Sequence, residues 1–138
     1  MNGEHIHIPD VLPHRYPFLF VDSVVGYEDG HWAKGYKIID ENDWFINESN
    51  LYMPSTLIVE SLAQIGAFAT MDVTGISFLT SLKGINVFSQ VKVGEKLDLY
   101  YEVVKRRRGY VVGKGTAHVG ERLIVEAEEI VSLDQKMS

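Results

Sequence analysis

The chain has 138 residues, of which 46% are hydrophobic and 23% are charged, and it contains no cysteine. This length and balance exclude a disordered or fibrous chain and predict a single domain over residues 1–138. A net charge of −6 disfavours a broad nucleic-acid surface, because phosphate binding requires a basic face. Since no disulfide framework argues for export, the expected location is the cytoplasm.

The N-terminal third predicts an irregular entry and a β-hairpin. Residues 9–22 hold three of the four prolines, which leaves room for at most a short helix. Strand patterns follow at residues 21–27 and 32–39, and Asp29-Gly30 between them is a strong hairpin turn. A polar loop then covers residues 40–52.

One long helix is predicted over residues 57–71, where apolar or small residues occupy nearly every position. Pro54 suits the first helical turn, and Ser55 and Thr56 beside it are possible caps. The strongly polar members, Glu60 and Gln64, are four residues apart and therefore share a face. Because they interrupt the apolar run, it does not predict a membrane span.

The C-terminal half predicts a three-stranded meander that opens at Gly94-Glu95. Strand patterns cover residues 96–105, 110–119 and 123–133. The first places Leu97, Leu99, Tyr101 and Val103 on one face, and in the last Leu123, Val125, Ala127, Val131 and Leu133 share parity. Strands before and after a single buried helix predict an α+β domain in which an antiparallel sheet wraps around that helix.

Three segments resemble the 3-hydroxyacyl-acyl-carrier-protein dehydratases of the FabZ and FabA type. Residues 12–22, LPHRYPFLFVD, are similar to that family's LPHRYPFLLVD, and residues 53–64, MPSTLIVESLAQ, are similar to its MPGVLIIEALAQ. The tail resembles the family's PGDQL, RRRG and AxVDGxLVAEAE segments, in the same order. The resemblance spans nearly the whole chain and implies the hotdog fold, in which the sheet wraps around one central helix.

The resemblance also implies a function and a site. Family members remove water from a 3-hydroxyacyl thioester carried by acyl carrier protein or CoA, without a cofactor or metal, in dimers or trimers of dimers with the active site at the dimer interface. A histidine takes the α-proton and a helix carboxylate protonates the leaving hydroxyl. Glu60 stands at the position of that carboxylate and is the candidate acid. Ser55 and Thr56 are candidate substrate-binding residues, because N–H groups at a helix start can hold a thioester oxygen. Gln64, on the same face as Glu60, is a third candidate.

The family histidine is missing from this chain. Members carry GHFPGxPVMPG, with the histidine seven residues before the methionine, and here Ile46 stands seven residues before Met53. Counting forward from Trp44-Phe45 places Glu48 in the slot instead. Further departures are Ser55 for the glycine of MPG, and the loss of the arginine and prolines of FxRPVxPG at residues 87–94.

Other histidines are weak replacements for the base. His14 belongs to LPHRYP, which active members also carry, while His31 follows a hairpin turn and His118 lies on a predicted strand. His5 and His7 form an HxH pair, but a zinc site needs further ligands and none follows nearby, so no metal site is predicted.

Three functions therefore stay open at this stage. The chain is a FabZ-like protein that acts on or binds acyl thioesters, a non-catalytic acyl-binding subunit, or a hotdog thioesterase in which Glu60 activates water. Glu60 itself is either an acid whose pKa is raised by burial or a structural carboxylate satisfied by the backbone or Gln64. The basic residues 106–108 either contact an acidic carrier protein or form a solvated hairpin tip.

Overall fold

The computed structural model describes residues 7–12, 15–70 and 77–134. A short 3₁₀ helix, Ile8–Asp10, confirms the irregular entry. The predicted hairpin follows as β1 (Ser23–Glu28) and β2 (Trp32–Ile38). Its turn closes through a 2.9 Å hydrogen bond from the His31 N–H to the Glu28 carbonyl, and Gly30 takes the positive φ of 84° that glycine tolerates best.

Helix α1 (Ser55–Gly66) is shorter than predicted, because a 3₁₀ helix, Ala67–Thr70, replaces its last turn. The start was also predicted wrongly. Pro54 occupies the N-cap position, with the extended ψ of 138°, and neither Ser55 nor Thr56 caps the helix through its side chain. Proline suits this position, because the φ that its ring fixes is compatible with the extended backbone before the helix.

Four strands complete the fold: β3 (Ser77–Val87), β4 (Lys96–Arg107), β5 (Tyr110–Val119) and β6 (Arg122–Asp134). Together with β1 and β2 they form one antiparallel six-stranded sheet in the order β1-β2-β4-β5-β6-β3. The meander β4–β5–β6 and the α+β class are confirmed. Strand β3 was missed by the sequence prediction, because it is an edge strand whose residues 80–83 are all exposed and show no alternation.

The helix packs across the middle of the sheet, against β2, β4, β5 and β6. Its buried side chains include Ile58, Leu62 and Ile65, none more than 1% exposed, and they meet Leu97 and Leu99 of β4 in one core. Burial of this apolar surface is the main force that holds sheet and helix together.

The predicted parity of β6 holds from Val125 to Ala127 only, because the register shifts on both sides of that pair. Pairing with β5 runs from Gly115↔Ala127 to Gly113↔Ile130, so β6 carries one extra residue there. Such a bulge reverses the faces of the following residues. Ile130 is therefore fully buried, whereas Leu133 is 47% exposed.

Tyr101 is buried where the helix end and the sheet approach each other. A Cβ on Gly66 would lie 2.7 Å from its ring, and a Cβ on Gly113 would lie 2.1 Å from it, so both positions require glycine. Burial raises the pKa of the Tyr101 hydroxyl to about 12, because the charged phenolate is poorly solvated there.

Candidate active site

One face of α1 leads from solvent into the protein. Thr56, Glu60 and Gln64 follow one another at four-residue spacing and so lie along the same face. Thr56 is exposed, Glu60 is half-buried and Gln64 is 2% exposed. The carboxylate therefore sits between the solvent-accessible helix start and a closed interior, which is the setting that an acid acting on a bound ligand requires.

Gln64 fixes the surroundings of Glu60. Its Oε1 accepts a hydrogen bond of 2.9 Å from the backbone N–H of Phe20, while its Nε2 donates to the Phe18 carbonyl over 2.8 Å. Since the Phe20 N–H can only donate, the amide orientation is determined and Nε2 must face the carboxylate. It donates to Glu60 Oε1 over 3.3 Å. Glu60 and Gln64 thus lie on one face of α1, as their spacing predicted, and are hydrogen-bonded to each other.

The start of α1 offers backbone donors. The N–H groups of Leu57 and Ile58 both bond to the Pro54 carbonyl. The N–H groups of Ser55 and Thr56 precede that first helical bond and have no acceptor among the residues that the structure describes. With the positive end of the helix dipole beside them, they suit an oxygen that carries negative charge.

The loop over residues 40–52 lies against the same region. The ring of Phe45 is 7% exposed and lies 6.5 Å from that of Phe20, the residue whose N–H bonds to Gln64. Trp44 packs edge-on to Phe45 and donates from its indole nitrogen to the Pro17 carbonyl over 2.7 Å. Aromatic contacts and this hydrogen bond therefore anchor the loop to the Pro17–Phe20 segment, part of which Gln64 also holds.

Neither residue predicted for the histidine slot presents a base to Glu60. Ile46 is half-buried and packs against the hydrophobic core. Glu48 is exposed at the tip of a tight turn, in which the Asn47 and Asn50 backbones bond to each other and Asn47 Oδ1 accepts from the Ser49 N–H. Backbone hydrogen bonds between Asn47 and Asn50 close this turn, and the Glu48 side chain on it is exposed to solvent.

The other loop carboxylate, Asp43, is engaged by a buried lysine. The side chain of Lys37 is 6% exposed, and its ammonium lies 3.3 Å from Asp43 and 3.6 Å from Asp22. Asp43 also accepts a hydrogen bond from the Asp40 N–H. These contacts tie the loop to β2 and leave Asp43 as a structural anion.

The histidines that the structure describes lie in three separate parts of the fold. His31 is exposed in the β1–β2 hairpin, where the neighbouring Gly30 N–H bonds to Ala69 beyond the helix end. His118 is half-buried on β5 opposite Asp98. His5 and His14 lie outside the described residues, and the exposed His7 has its Nδ1 3.4 Å from a carboxylate oxygen of Asp10.

No cluster of three metal-ligating side chains occurs within the described residues. Among the helices in that same part of the chain, none has the length and apolarity needed to cross a bilayer. Residues 106–108 lie at the β4–β5 turn, where Arg107 and Arg108 are exposed and Arg106 is half-buried.

Solved structures identify the fold. A chain of the dehydratase heterocomplex ApeI:P from Xenorhabdus doucetiae matches with a TM-score of 0.83 at 13% identity, covering 96% of this chain and 95% of the other. A hypothetical thioesterase with coenzyme A from Streptococcus pneumoniae matches with a TM-score of 0.64, also at 13% identity, covering 78% and 80%. The predicted hotdog fold is confirmed.

The family follows from sequence. The model of the FabA-like domain matches residues 12–128. The chain is 39% identical over 136 residues to the 3-hydroxyacyl-[acyl-carrier-protein] dehydratase FabZ of Bacillus licheniformis, covering 94% of each chain. It is 46% identical over 118 residues to the uncharacterized protein YcsD of Bacillus subtilis, covering 85% of this chain and 91% of the other. The chain belongs to the FabA-like family.

Proposed function

We propose that the protein binds acyl thioesters carried by acyl carrier protein or CoA, and that its dehydratase turnover is far below that of histidine-bearing relatives. The observation that carries the proposal is the helix face Thr56–Glu60–Gln64, with a half-buried carboxylate held by a buried amide and unpaired donors at the helix start. FabZ relatives such as that of Bacillus licheniformis act on 3-hydroxyacyl carrier substrates by name, which supports this substrate class.

Dehydration of a 3-hydroxyacyl thioester needs an acid and a base. Protonation of the leaving hydroxyl needs an acid, and Glu60 stands at the position for it. Removal of the α-proton needs a base within hydrogen-bond reach. The loop supplies Ile46 or Glu48 at the place of the family base, and neither is suited to that step. Binding is retained in this proposal because the apolar helix and its N-terminal donors are intact.

A second candidate function, thioester hydrolysis, depends on the same carboxylate. Glu60 would take a proton from water, which then attacks the thioester carbonyl while the helix-start N–H groups hold its oxygen. Hydrolysis needs no separate base for the α-proton. It is therefore compatible with the loop of this chain, whereas fast dehydration is not.

One assay separates these functions. The purified protein is given a crotonyl thioester, and binding, hydration of the double bond and release of thiol are measured together. Binding with hydration at a low rate is the expected result. Thiol release without hydration would favour the thioesterase, and absence of binding to either carrier would contradict the proposal.

We also propose that the protein assembles as a dimer or a trimer of dimers through its sheet edge. Strand β3 ends the sheet, so one side of its backbone has no strand neighbour among the described residues. Leu82, Val87 and Phe88, on or next to this strand, are 41%, 52% and 59% exposed. Such an edge favours pairing with another strand. We expect sedimentation at micromolar concentration to give a dimer or larger, and a folded monomer alone would contradict this.

A further inference from the structure

The loop between β2 and α1 is built so that it can move as one piece. In the described part of the chain, the backbone hydrogen bonds of residues 40–50 stay within residues 40–52. They include the pair that joins Asn47 and Asn50 in both directions, and the Asn50 side chain adds two more bonds inside the loop. A loop that satisfies its own polar groups keeps these bonds when it moves as a unit.

The two ends of this loop meet on neighbouring residues of the connection between β3 and β4. The Gly94 N–H bonds to the Ile39 carbonyl over 2.8 Å, and the Val93 N–H bonds to the Leu51 carbonyl over 2.9 Å. Such close ends are typical of compact Ω-loops. This arrangement lets residues 40–50 lift about their two attachment points while the sheet and α1 stay in place.

Aromatic side chains of the loop lie against the surroundings of the candidate acid. The rings of Trp44 and Phe45 lie 6.4 and 6.5 Å from the ring of Phe20. The backbone N–H of Phe20 bonds to Gln64, which in turn donates to Glu60. Phe20 is thus held by the loop on one side and by Gln64 on the other, so lifting the loop uncovers this part of the site.

One ion pair fixes the loop to the sheet. The ammonium of Lys37 on β2 lies 3.3 Å from Oδ1 of Asp43 and 6.0 Å from the centre of the Phe45 ring. Oδ2 of Asp43 accepts from the Asp40 N–H over 2.9 Å, so this carboxylate belongs to the loop. Because the Lys37 side chain is only 6% exposed, water screens the pair less than it screens a surface pair.

Lys37 has a second carboxylate that stays with the sheet. Oδ1 of Asp22 lies 3.6 Å from the ammonium, and Oδ2 of Asp22 accepts from the Ile38 N–H over 2.7 Å. A buried cation that loses its only anionic partner is strongly destabilised. Since Asp22 remains when the loop lifts, Lys37 keeps a partner while Asp43 regains contact with water. The ion pair between Lys37 and Asp43 is therefore one that the fold can release.

We propose that residues 40–50 form a lid that lifts to admit an acyl thioester to the helix face of Glu60 and closes to retain it, with the Lys37–Asp43 ion pair as its latch. The inference rests on the proposed function, because that function supplies the ligand. It gives the loop a role that needs no base, namely control of the rates at which the thioester enters and leaves. Lys37 and Asp43 are positioning residues, since they act on the ligand through the loop.

The first test uses the absence of cysteine from the chain. Ile46→Cys places a single thiol where the loop packs against the core, and its rate of reaction with a soluble aromatic disulfide reports lifting. We expect Asp43→Asn to raise this rate about tenfold, as the loss of one charge-assisted contact provides. Asp22→Asn should lower it, because Lys37 would then have no partner in the lifted state. Glu41→Gln, at an exposed carboxylate of the same loop, is the control and should change nothing.

The second test measures binding of crotonyl-CoA by stopped flow. In a Trp32→Phe background Trp44 is the one remaining tryptophan of the chain, so its fluorescence reports on the loop. We expect Asp43→Asn to raise the association and dissociation rate constants by the same factor and to change Kd little, because the latch is closed in both the free and the bound protein. A merely structural role would weaken binding without faster association.

The outcomes separate the lid from the proposed function. Thiol reactivity that is unchanged in Asp43→Asn, or raised equally in Asp22→Asn, would overturn the latch. Faster thiol reaction in Asp43→Asn without faster exchange of crotonyl-CoA would overturn the lid alone, since acyl binding would persist. If crotonyl-CoA bound to none of the proteins, the proposed function and the lid would both be wrong.

Discussion

The helix side and the loop side of the candidate site differ in whether they retain the residue that the family has there. On the helix side, Glu60 stands at the position of the family carboxylate and Gln64 joins it to the backbone at Phe18 and Phe20. On the loop side, the position of the family base holds Ile46, packed against the core, or Glu48, exposed at a turn.

A carboxylate such as Glu60 can be retained for its structural role or for its chemistry. Gln64 uses its donors and acceptor to hold the Phe18–Phe20 backbone, so the pair has structural value without any reaction. A base in the loop would have no such value, because residues 40–52 are held by their own turns, by Lys37 and by aromatic contacts. The experiments below separate structure from chemistry on each side.

The largest expected effect concerns the loop side. Because a positioned base contributes roughly 10²- to 10⁴-fold, dehydratase turnover on a 3-hydroxyacyl carrier substrate should be lower by that order than for the Bacillus licheniformis FabZ assayed in parallel. Ile46→His should raise it at least about tenfold, whereas Asn47→His, at the exposed neighbouring residue, should not. Comparable turnover in wild type and relative would refute the prediction.

The next effect concerns the helix side. If the chain is catalytic, Glu60→Gln should lower the remaining hydration or hydrolysis by about 10²-fold or more, because an amide cannot transfer the proton. Its Oε1 can still accept from Gln64, so the free energy of unfolding should be unchanged or slightly raised. Glu41→Gln, in the exposed part of the loop, is the control. Unchanged turnover in Glu60→Gln would place the chemistry elsewhere.

Removing Gln64 should affect stability before activity. Gln64→Leu leaves the buried N–H of Phe20 without its acceptor and deletes the bonds to Phe18 and Glu60. We expect a loss of about 2 to 4 kcal/mol in the free energy of unfolding, measured by urea denaturation. Ser61→Ala, which removes a hydroxyl bonded only to the preceding helical turn, should cost less. Equal losses would show that the clamp on the Phe18–Phe20 segment carries no stability.

The smallest effect lies away from both sides and tests the core beneath them. Because burial raises the pKa of Tyr101 from 10.0 to about 12, folding favours the protonated form. Stability contributed in this way is complete below pH 10 and falls by about 1.4 kcal/mol per pH unit between about 10 and 12.

Tyr101→Phe should therefore lose less stability than wild type between pH 8 and 11, as measured by denaturant unfolding at both values. At pH 8 the variant should be nearly as stable, because the hydroxyl has no hydrogen-bond partner in the described part of the chain. The stability of Tyr100→Phe at the same two pH values serves as a comparison, since the Tyr100 hydroxyl is half-buried and donates a hydrogen bond to Glu102. An identical alkaline loss in wild type and Tyr101→Phe would contradict the assignment.

Local patterns were sufficient for much of the fold and for one half of the site. Asp29-Gly30 marked the first hairpin, and the four-residue spacing of Glu60 and Gln64 put them on one face, where they are in contact. The missing histidine was visible from the loop sequence itself. These features depend on neighbours in sequence, for which periodicity and turn chemistry are direct guides.

Other features depended on residues far apart in the chain. Strand β3 pairs with β6 from Ser77↔Asp134 to Val87↔Val125, far apart in the chain, so its own pattern contained no signal of that partner. The acceptor for Phe20 is Gln64, 44 residues away. Tyr52 and Arg122, far apart in the chain, line the same surface cleft. The bulge in β6 reversed the faces that alternation predicted.

The fold class, the family, the candidate carboxylate Glu60 and the absence of the loop histidine could all be predicted from the sequence. Each of them depends on residue identity and short-range spacing. What Gln64 holds, and that Ile46 packs against the core, followed only from the tertiary structure. Those outcomes follow from long-range packing and hydrogen bonding, in which each group is satisfied by whichever partner the folded chain brings to it.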